Sequence, residues 1–207
     1  GIHVVLSTGR SFRTSRDFAR LLKLSSYLIT VNGSEIWDGN ENLVDRKLVD
    51  PELIEWMWEI TKTYKTNFWA TSCEKVWHDE MPRKISEYEW LKFGFHIEDD
   101  GVRHMIEREL KSCGKLEVSN SSMKNIEANS IGVNKAEGIK KVCALLGIKM
   151  NQVMACGDSM NDLAMIRESG FGVAMGNAQV KLKRSANWVT KTNEENGVAH
   201  AIHKWVL

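Results

Sequence analysis

The chain has 207 residues, 43% hydrophobic and 27% charged, with a formal net charge of +1. That composition is globular and large enough for one sizeable domain or two small ones. It excludes a global attraction to nucleic acid or anionic membrane, and no apolar run approaches the ~20 residues of a spanning helix.

Cys73, Cys113, Cys143 and Cys156 form no CxxC pair and no metal-finger spacing. The opening residues show no secretory pattern, so a reducing cytoplasm is the expected compartment. Five of the eight tryptophans (Trp56, Trp58, Trp69, Trp77, Trp90) fall in the middle third, which sets that region apart from the ends.

Ile2 to Leu6 reads as a short buried strand, followed by the turn Ser7-Thr8-Gly9-Arg10. Ser15 to Leu24 is a helix candidate, with Phe18, Leu21 and Leu22 at helical spacing. Tyr27 to Val31 is a second strand closed by Asn32-Gly33, a turn dipeptide. Glu35 to Gly39 and Leu43 to Leu48 read as two arms of a hairpin. From Pro51 the period becomes helical through Leu53, Trp56, Met57, Ile60 and Tyr64.

Strand pieces are expected at Asn67–Ala70 and Lys75–His78, and helices at Ser86–Lys92 and Met105–Cys113, the latter stopped by Gly114. Paired strands are expected at Leu116–Ser119 and Asn125–Ala128. The last third alternates: a helix from Lys135 to Leu146, a strand at Gln152–Cys156, a helix from Leu163, a strand at Gly172–Met175, a helix at Ala178–Arg184, a strand at Trp188-Val189 and a helix at Val198–Trp205. Such alternation implies a parallel sheet covered by helices. The pattern predicts one α/β domain built from both ends of the chain, residues 1–47 and 127–207, interrupted by an α+β insert over residues 48–126.

The run with most chemical content is Gly157-Asp158-Ser159-Met160-Asn161-Asp162. It follows a buried strand and opens a helix. Carboxylates at the carboxyl end of a strand face the crevice where ligands bind in α/β sheets, and hard oxygen donors suit Mg²⁺. An ordinary acidic turn capping a helix is the competing reading. Two further features align with it. Thr8 offers a hydroxyl and Gly9 lets backbone amides approach an anion. Lys135 stands at a helix start, where a cation opposes the dipole unless it neutralises a bound phosphate.

The order of these pieces resembles the haloacid dehalogenase superfamily, and within it the Cof-type phosphatases, whose cap is inserted between the second and third motifs. Asn32-Gly33, the run Gly172 to Ala178 and the run Asn193 to Val198 also look like that family's core segments. The resemblance implies a Rossmann-like core with a C2-type cap, and Mg²⁺-dependent hydrolysis of a phosphate monoester of a small metabolite, a sugar phosphate or similar. It implies that Thr8, Gly9, Lys135 and Asn161 bind phosphate, that Asp158 and Asp162 serve the metal, and that Lys135, Asp158 and Asp162 are catalytic. Asp162 would hold either the metal site or Lys135. A non-catalytic phospho-ligand-binding relative and a phosphomutase of the same superfamily are the alternatives. A nucleic-acid partner is not expected, since Lys181 to Arg184 is too short a basic run.

The superfamily's first motif, Asp-x-Asp-Gly-Thr, occurs nowhere in the 207 residues. The resemblance places it upstream of Gly1. The expectation is therefore a core lacking its first strand, with nucleophile and acid/base aspartate outside this chain and no activity from the 207 residues alone.

Overall fold

The computed structural model describes residues Gly1–Leu207. The chain forms two compact units, Gly1–Asn134 and Lys135–Leu207.

The first unit opens with β1 (Leu6–Ser7), α1 (Phe12–Leu21) and β2 (Leu28–Thr30), then a tight turn at Val31–Gly33, β3 (Glu35–Trp37) and β4 (Leu43–Arg46). These strands form a sheet in the order β1-β2-β3-β4, with β1 parallel to β2 and the rest antiparallel. The strand expected at Ile2–Leu6 shrinks to Leu6–Ser7. Its ladder partner β2 begins only at Leu28, opposite Leu6, and Ile2 and Val4 lie exposed. Helix α1 buries only Ser15, while Phe18, Leu21 and Leu22 are more than half exposed.

The unit continues with α2 (Pro51–Tyr64), β5 (Asn67–Ser72), β6 (Val76–His78), β7 (Trp90–His96), α3 (Asp100–Ser112), β8 (Leu116–Ser119) and β9 (Asn125–Ser130). Both helices start on aspartate caps. Asp50 accepts from the Glu52 N–H with Pro51 in the first turn, and Asp99 accepts from the Val102 N–H. The strands form a five-stranded antiparallel sheet in the order β6-β5-β7-β9-β8. Its core joins Ile54, Met57 and Ile60 of α2 and Ile106 and Leu110 of α3 to Phe93, Phe95, Ile126 and Ala128 of the sheet. Trp77 and Trp90 are buried in this core, and Trp56 and Trp58 pack against it.

The expected helix at Ser86–Lys92 is a correction. A single 3-10 turn covers Ile85–Glu87, and Trp90 onward is the central strand β7. Successive β5 residues Thr71 and Ser72 pair with Lys92 and Trp90. Leu91 is therefore an extra residue, a β-bulge, and the two-residue period breaks there. Trp90 and Phe93, three apart, both join the core. Lys92 and Gly94 take the other face, where Gly94 leaves room for the Trp69 ring.

The second unit contains α4 (Lys135–Leu146), β10 (Met154–Gly157), α5 (Leu163–Glu168), β11 (Phe171–Ala174), α6 (Val180–Lys183), β12 (Trp188–Val189) and α7 (Gly197–Trp205). Its sheet is parallel, in the order β10-β11-β12, as the strand–helix alternation predicts. Ala136, Ala155, Met165, Ile166, Ala174 and Leu182 form its core. No helix in the chain is long and apolar enough to cross a membrane.

Candidate active site

The acidic motif leaves the carboxyl end of β10 and turns through Met160–Asp162 into α5. Asp162 organises it. Its Oδ2 accepts from the Asp158 N–H at 2.8 Å and the Ser159 N–H at 3.0 Å. Its Oδ1 accepts from Lys135 Nζ at 2.6 Å. A carboxylate thus satisfies two amides of the turn and neutralises a buried lysine at the first residue of α4. Gly157 is required by this packing, because a Cβ there would meet Asp162 Cγ at 2.6 Å.

Asp158 is also held by its backbone. Its carbonyl accepts from the Gln179 N–H at 3.0 Å, and the Gly157 carbonyl accepts from the Met175 N–H at 2.9 Å. Its side chain reaches the surface of the unit. The carboxyl nevertheless sits above the ordinary carboxylate range, first through desolvation by surrounding protein atoms and second through the charge of Asp162, against which Lys135 acts more weakly. Asn161 is buried in the same turn. The structure thus gathers Lys135, Asp158, Asn161 and Asp162 within the second unit. No group of three or more His, Cys, Asp or Glu side chains in the chain is arranged to hold a metal ion by itself.

Thr8 and Gly9 lie in the first unit, in the loop after β1. The Thr8 N–H donates to the Ile29 carbonyl, and the Thr8 carbonyl accepts from the Asn32 N–H, both at 2.9 Å. The Arg10 carbonyl accepts from the Val31 N–H at 2.9 Å, and the Arg10 N–H donates to Thr8 Oγ1 at 3.2 Å. The segment that grips this loop has three consecutive positive φ values, Val31 at 48°, Asn32 at 61° and Gly33 at 105°. For a β-branched valine that conformation is strained, and such strain gathers at functional sites.

Sequence reading missed a buried polar group behind the loop. Lys92 Nζ donates to the Gly9 carbonyl at 2.8 Å and to Glu127 Oε2 at 3.2 Å. Glu127 also accepts from Asn32 Nδ2 at 2.6 Å and Ser121 Oγ at 2.7 Å. The one signal in the sequence is a lysine and a glutamate each set among apolar strand residues.

A family model for haloacid dehalogenase-like hydrolases matches residues 1–104 and 82–202. The chain is 55% identical over 207 residues to the 5-amino-6-(5-phospho-D-ribitylamino)uracil phosphatase YcsE of Bacillus subtilis, a match covering 100% of this chain and 83% of that one. A solved haloacid dehalogenase-like hydrolase of B. subtilis has the same fold, with a TM-score of 0.90 at 22% identity, covering 100% of this chain and 88% of that chain. A solved subclass IIB sugar phosphatase has a TM-score of 0.82 at 21% identity, covering 99% and 86%. The chain belongs to the haloacid dehalogenase superfamily of hydrolases.

Proposed function

We propose that this protein is a Mg²⁺-dependent phosphatase of a small phosphorylated metabolite, and that the metabolite is 5-amino-6-(5-phospho-D-ribitylamino)uracil. The substrate assignment rests on the 55% identity to the Bacillus enzyme of that activity, which extends over the whole of this chain. The observation that carries the chemistry is the pairing of Lys135 with Asp162 beside Asp158 at the end of β10.

Phosphoryl transfer needs positioning and charge neutralisation more than covalent work by the protein. In this reading an aspartate attacks phosphorus, the P–O ester bond breaks, the leaving oxygen takes a proton from a second aspartate, and water then hydrolyses the phosphoaspartate. Neither aspartate has a counterpart in these 207 residues, and we place both upstream of Gly1. β1 is the parallel edge strand of its sheet and β10 is one of two parallel edge strands, with β12, of its own, which agrees with a further strand in the complete core. Residues 1–207 by themselves turn over nothing.

Lys135 has three N–H donors and Asp162 takes one. The others serve the phosphate and the attacking carboxylate. Thr8, the Gly9 amide and Asn161 donate to phosphoryl oxygens.

The donor set at Asp158 fits Mg²⁺, which takes one or two carboxylates with phosphate and water. A carboxylate that desolvation and a like charge drive toward protonation is one that a cation would relieve. Asp158 is the ligand in this reading. Asp162, with both oxygens engaged, sets Asp158 and Lys135 in place. The metal would screen the like charges of nucleophile and phosphate. We assign residues 1–47 and 127–207 to the catalytic core and 48–126 to the cap.

The test is hydrolysis of an aryl phosphate and of the ribitylaminouracil phosphate by the full-length protein, with and without EDTA. Chelator-sensitive release of phosphate from both, faster from the second, is expected. No release from either overturns the proposal.

A further inference from the structure

The polar group behind the Thr8–Arg10 loop has no part in the chemistry above. Lys92 and Glu127 are each 5% exposed at the side chain. They stand on the face of the five-stranded sheet turned away from its apolar core. Lys92 takes that face by regular alternation with the core residue Phe93, and Trp69, lying over Gly94, brings its ring centroid to 5.9 Å from Lys92 Nζ. Burying an ion pair is costly, and well-packed apolar residues often stabilise as much. What an apolar pair cannot supply is the third contact, from the ammonium to the Gly9 carbonyl at 2.8 Å.

We propose that Lys92, held by Glu127, is a positioning residue that orients the phosphate-binding loop through the Gly9 carbonyl. The proposal rests on the reading of Thr8 and Gly9 as phosphate ligands.

The peptide between Gly9 and Arg10 is planar and trans, so its C=O and N–H point in opposite directions. With the carbonyl drawn to Lys92, the Arg10 N–H is turned to Thr8 Oγ1, to which it donates at 3.2 Å. A hydroxyl has one donor and two lone pairs. Accepting from Arg10 leaves the Thr8 O–H free to donate, which is what a phosphoryl oxygen requires.

Glu127 keeps Lys92 in register. Burial pushes the Glu127 carboxyl up, but the Lys92 charge and the bonds from Asn32, Ser121 and Lys92 outweigh it and hold it below the ordinary range. Asn32 closes the circuit. Its side chain donates to Glu127, and its own N–H donates to the Thr8 carbonyl. The strained Val31–Gly33 turn is thus fastened to the sheet and to the loop together.

The experiment uses the full-length protein, with Lys92→Met and the double variant Lys92→Met/Glu127→Gln. Melting temperature, orthophosphate affinity by calorimetry, and kcat and KM for an aryl phosphate are measured for each. Lys92→Met should melt lower, because it leaves Glu127 buried and unpaired. The double variant should recover most of that loss, since no buried charge remains. Its orthophosphate affinity should stay about tenfold weaker than wild type, and its kcat/KM about 100-fold lower.

A double variant that binds orthophosphate and turns over within about twofold of wild type overturns the proposal, by the tenfold standard set above. So does one that melts no higher than Lys92→Met, because the pair would then be acting on the sheet as a whole. A wild-type protein that binds orthophosphate in a Lys92-dependent way without hydrolysing esters supports the positioning role and removes the catalytic reading. Neither binding nor turnover in the wild type removes both.

Discussion

Lys135 Nζ and Asp162 Oδ1 lie 2.6 Å apart, with less than a tenth of either residue exposed. Asp162 is simultaneously the acceptor for two amides of the turn after β10. Breaking this pair should therefore damage both fold and activity. Lys135→Met should cost about 3–5 kcal/mol by leaving a buried carboxylate unpaired. Lys135→Met/Asp162→Leu should recover only part of that, because the Asp158 and Ser159 N–H groups lose their acceptor. Urea denaturation of the single and double variants measures both terms, and full recovery in the double variant would contradict the role of Asp162 in the turn.

Asp158 should behave in the opposite sense. Its folded pKa is raised, so the stability linked to its protonated form is present at low pH and is lost as pH rises through the folded value. At neutral pH the ionised carboxylate opposes folding. Asp158→Asn should melt at or above the wild-type temperature while losing at least about 100-fold in kcat. Added Mg²⁺ should raise the wild-type melting temperature and leave the variant unmoved. A variant that melts well below wild type would show that Asp158 is a structural residue.

The pH dependence contributed by Glu127 has the reverse sign. Its folded pKa lies below its ordinary value of 4.5. The stability it adds is present above pH 4.5 and is lost as pH falls through the depressed value. Lys92→Met/Glu127→Gln should show a shallower loss of stability on acidification below that point. Parallel acid limbs for wild type and double variant would rule out a contribution from this carboxylate.

The thiols of Cys73, Cys143 and Cys156 should be slow nucleophiles. Desolvation, opposed by Arg46 and reinforced by Glu35 and Glu89, pushes the Cys73 thiol up to about 12. Relative to the ordinary 9.0, that is roughly 1000-fold less thiolate. Burial also raises Cys143 and Cys156. Iodoacetamide at mildly alkaline pH should leave these three cysteines unmodified by mass spectrometry until denaturant is added. Rapid labelling of Cys73 in the folded protein would contradict its environment.

The second unit was the more legible part of the chain. Its strands are short apolar runs between helices of clear period, and glycines and Asx residues mark the joints, so β10, α5 and β11 fall where pattern reading puts them. The acidic motif was visible because its residues are consecutive. What could not be read was the division of labour inside it, since only the fold shows that Asp162 spends both oxygens on Lys135 and the turn. Strand β7 was hidden for a different reason. It is the central strand, buried on both faces, and the residue inserted at Leu91 cancels the alternation that identifies a strand. Lys92, Glu127 and Asn32 are separated by 35 to 95 residues along the chain, and no local signal announces that they meet. α1 shows the converse, because helical spacing of Phe18, Leu21 and Leu22 revealed the helix but not that its apolar side is left open.

The phase of β7 is fixed by the unbroken ladder from Lys92 to Phe95, not by the bulge at Leu91. Removing Leu91 would leave Trp90, Phe93 and Phe95 on the core face and Lys92 on the other. Removing one residue between Lys92 and Phe95 would instead turn the side chains on one side of the gap to the wrong face, or force cross-strand pairs with β9 to slip. The surface connection at residues 80–84, two strands away, has no such phase to keep. Drift in the length of this chain should therefore accumulate in connections of that kind, and Lys92 to Phe95 should be copied as an indivisible block.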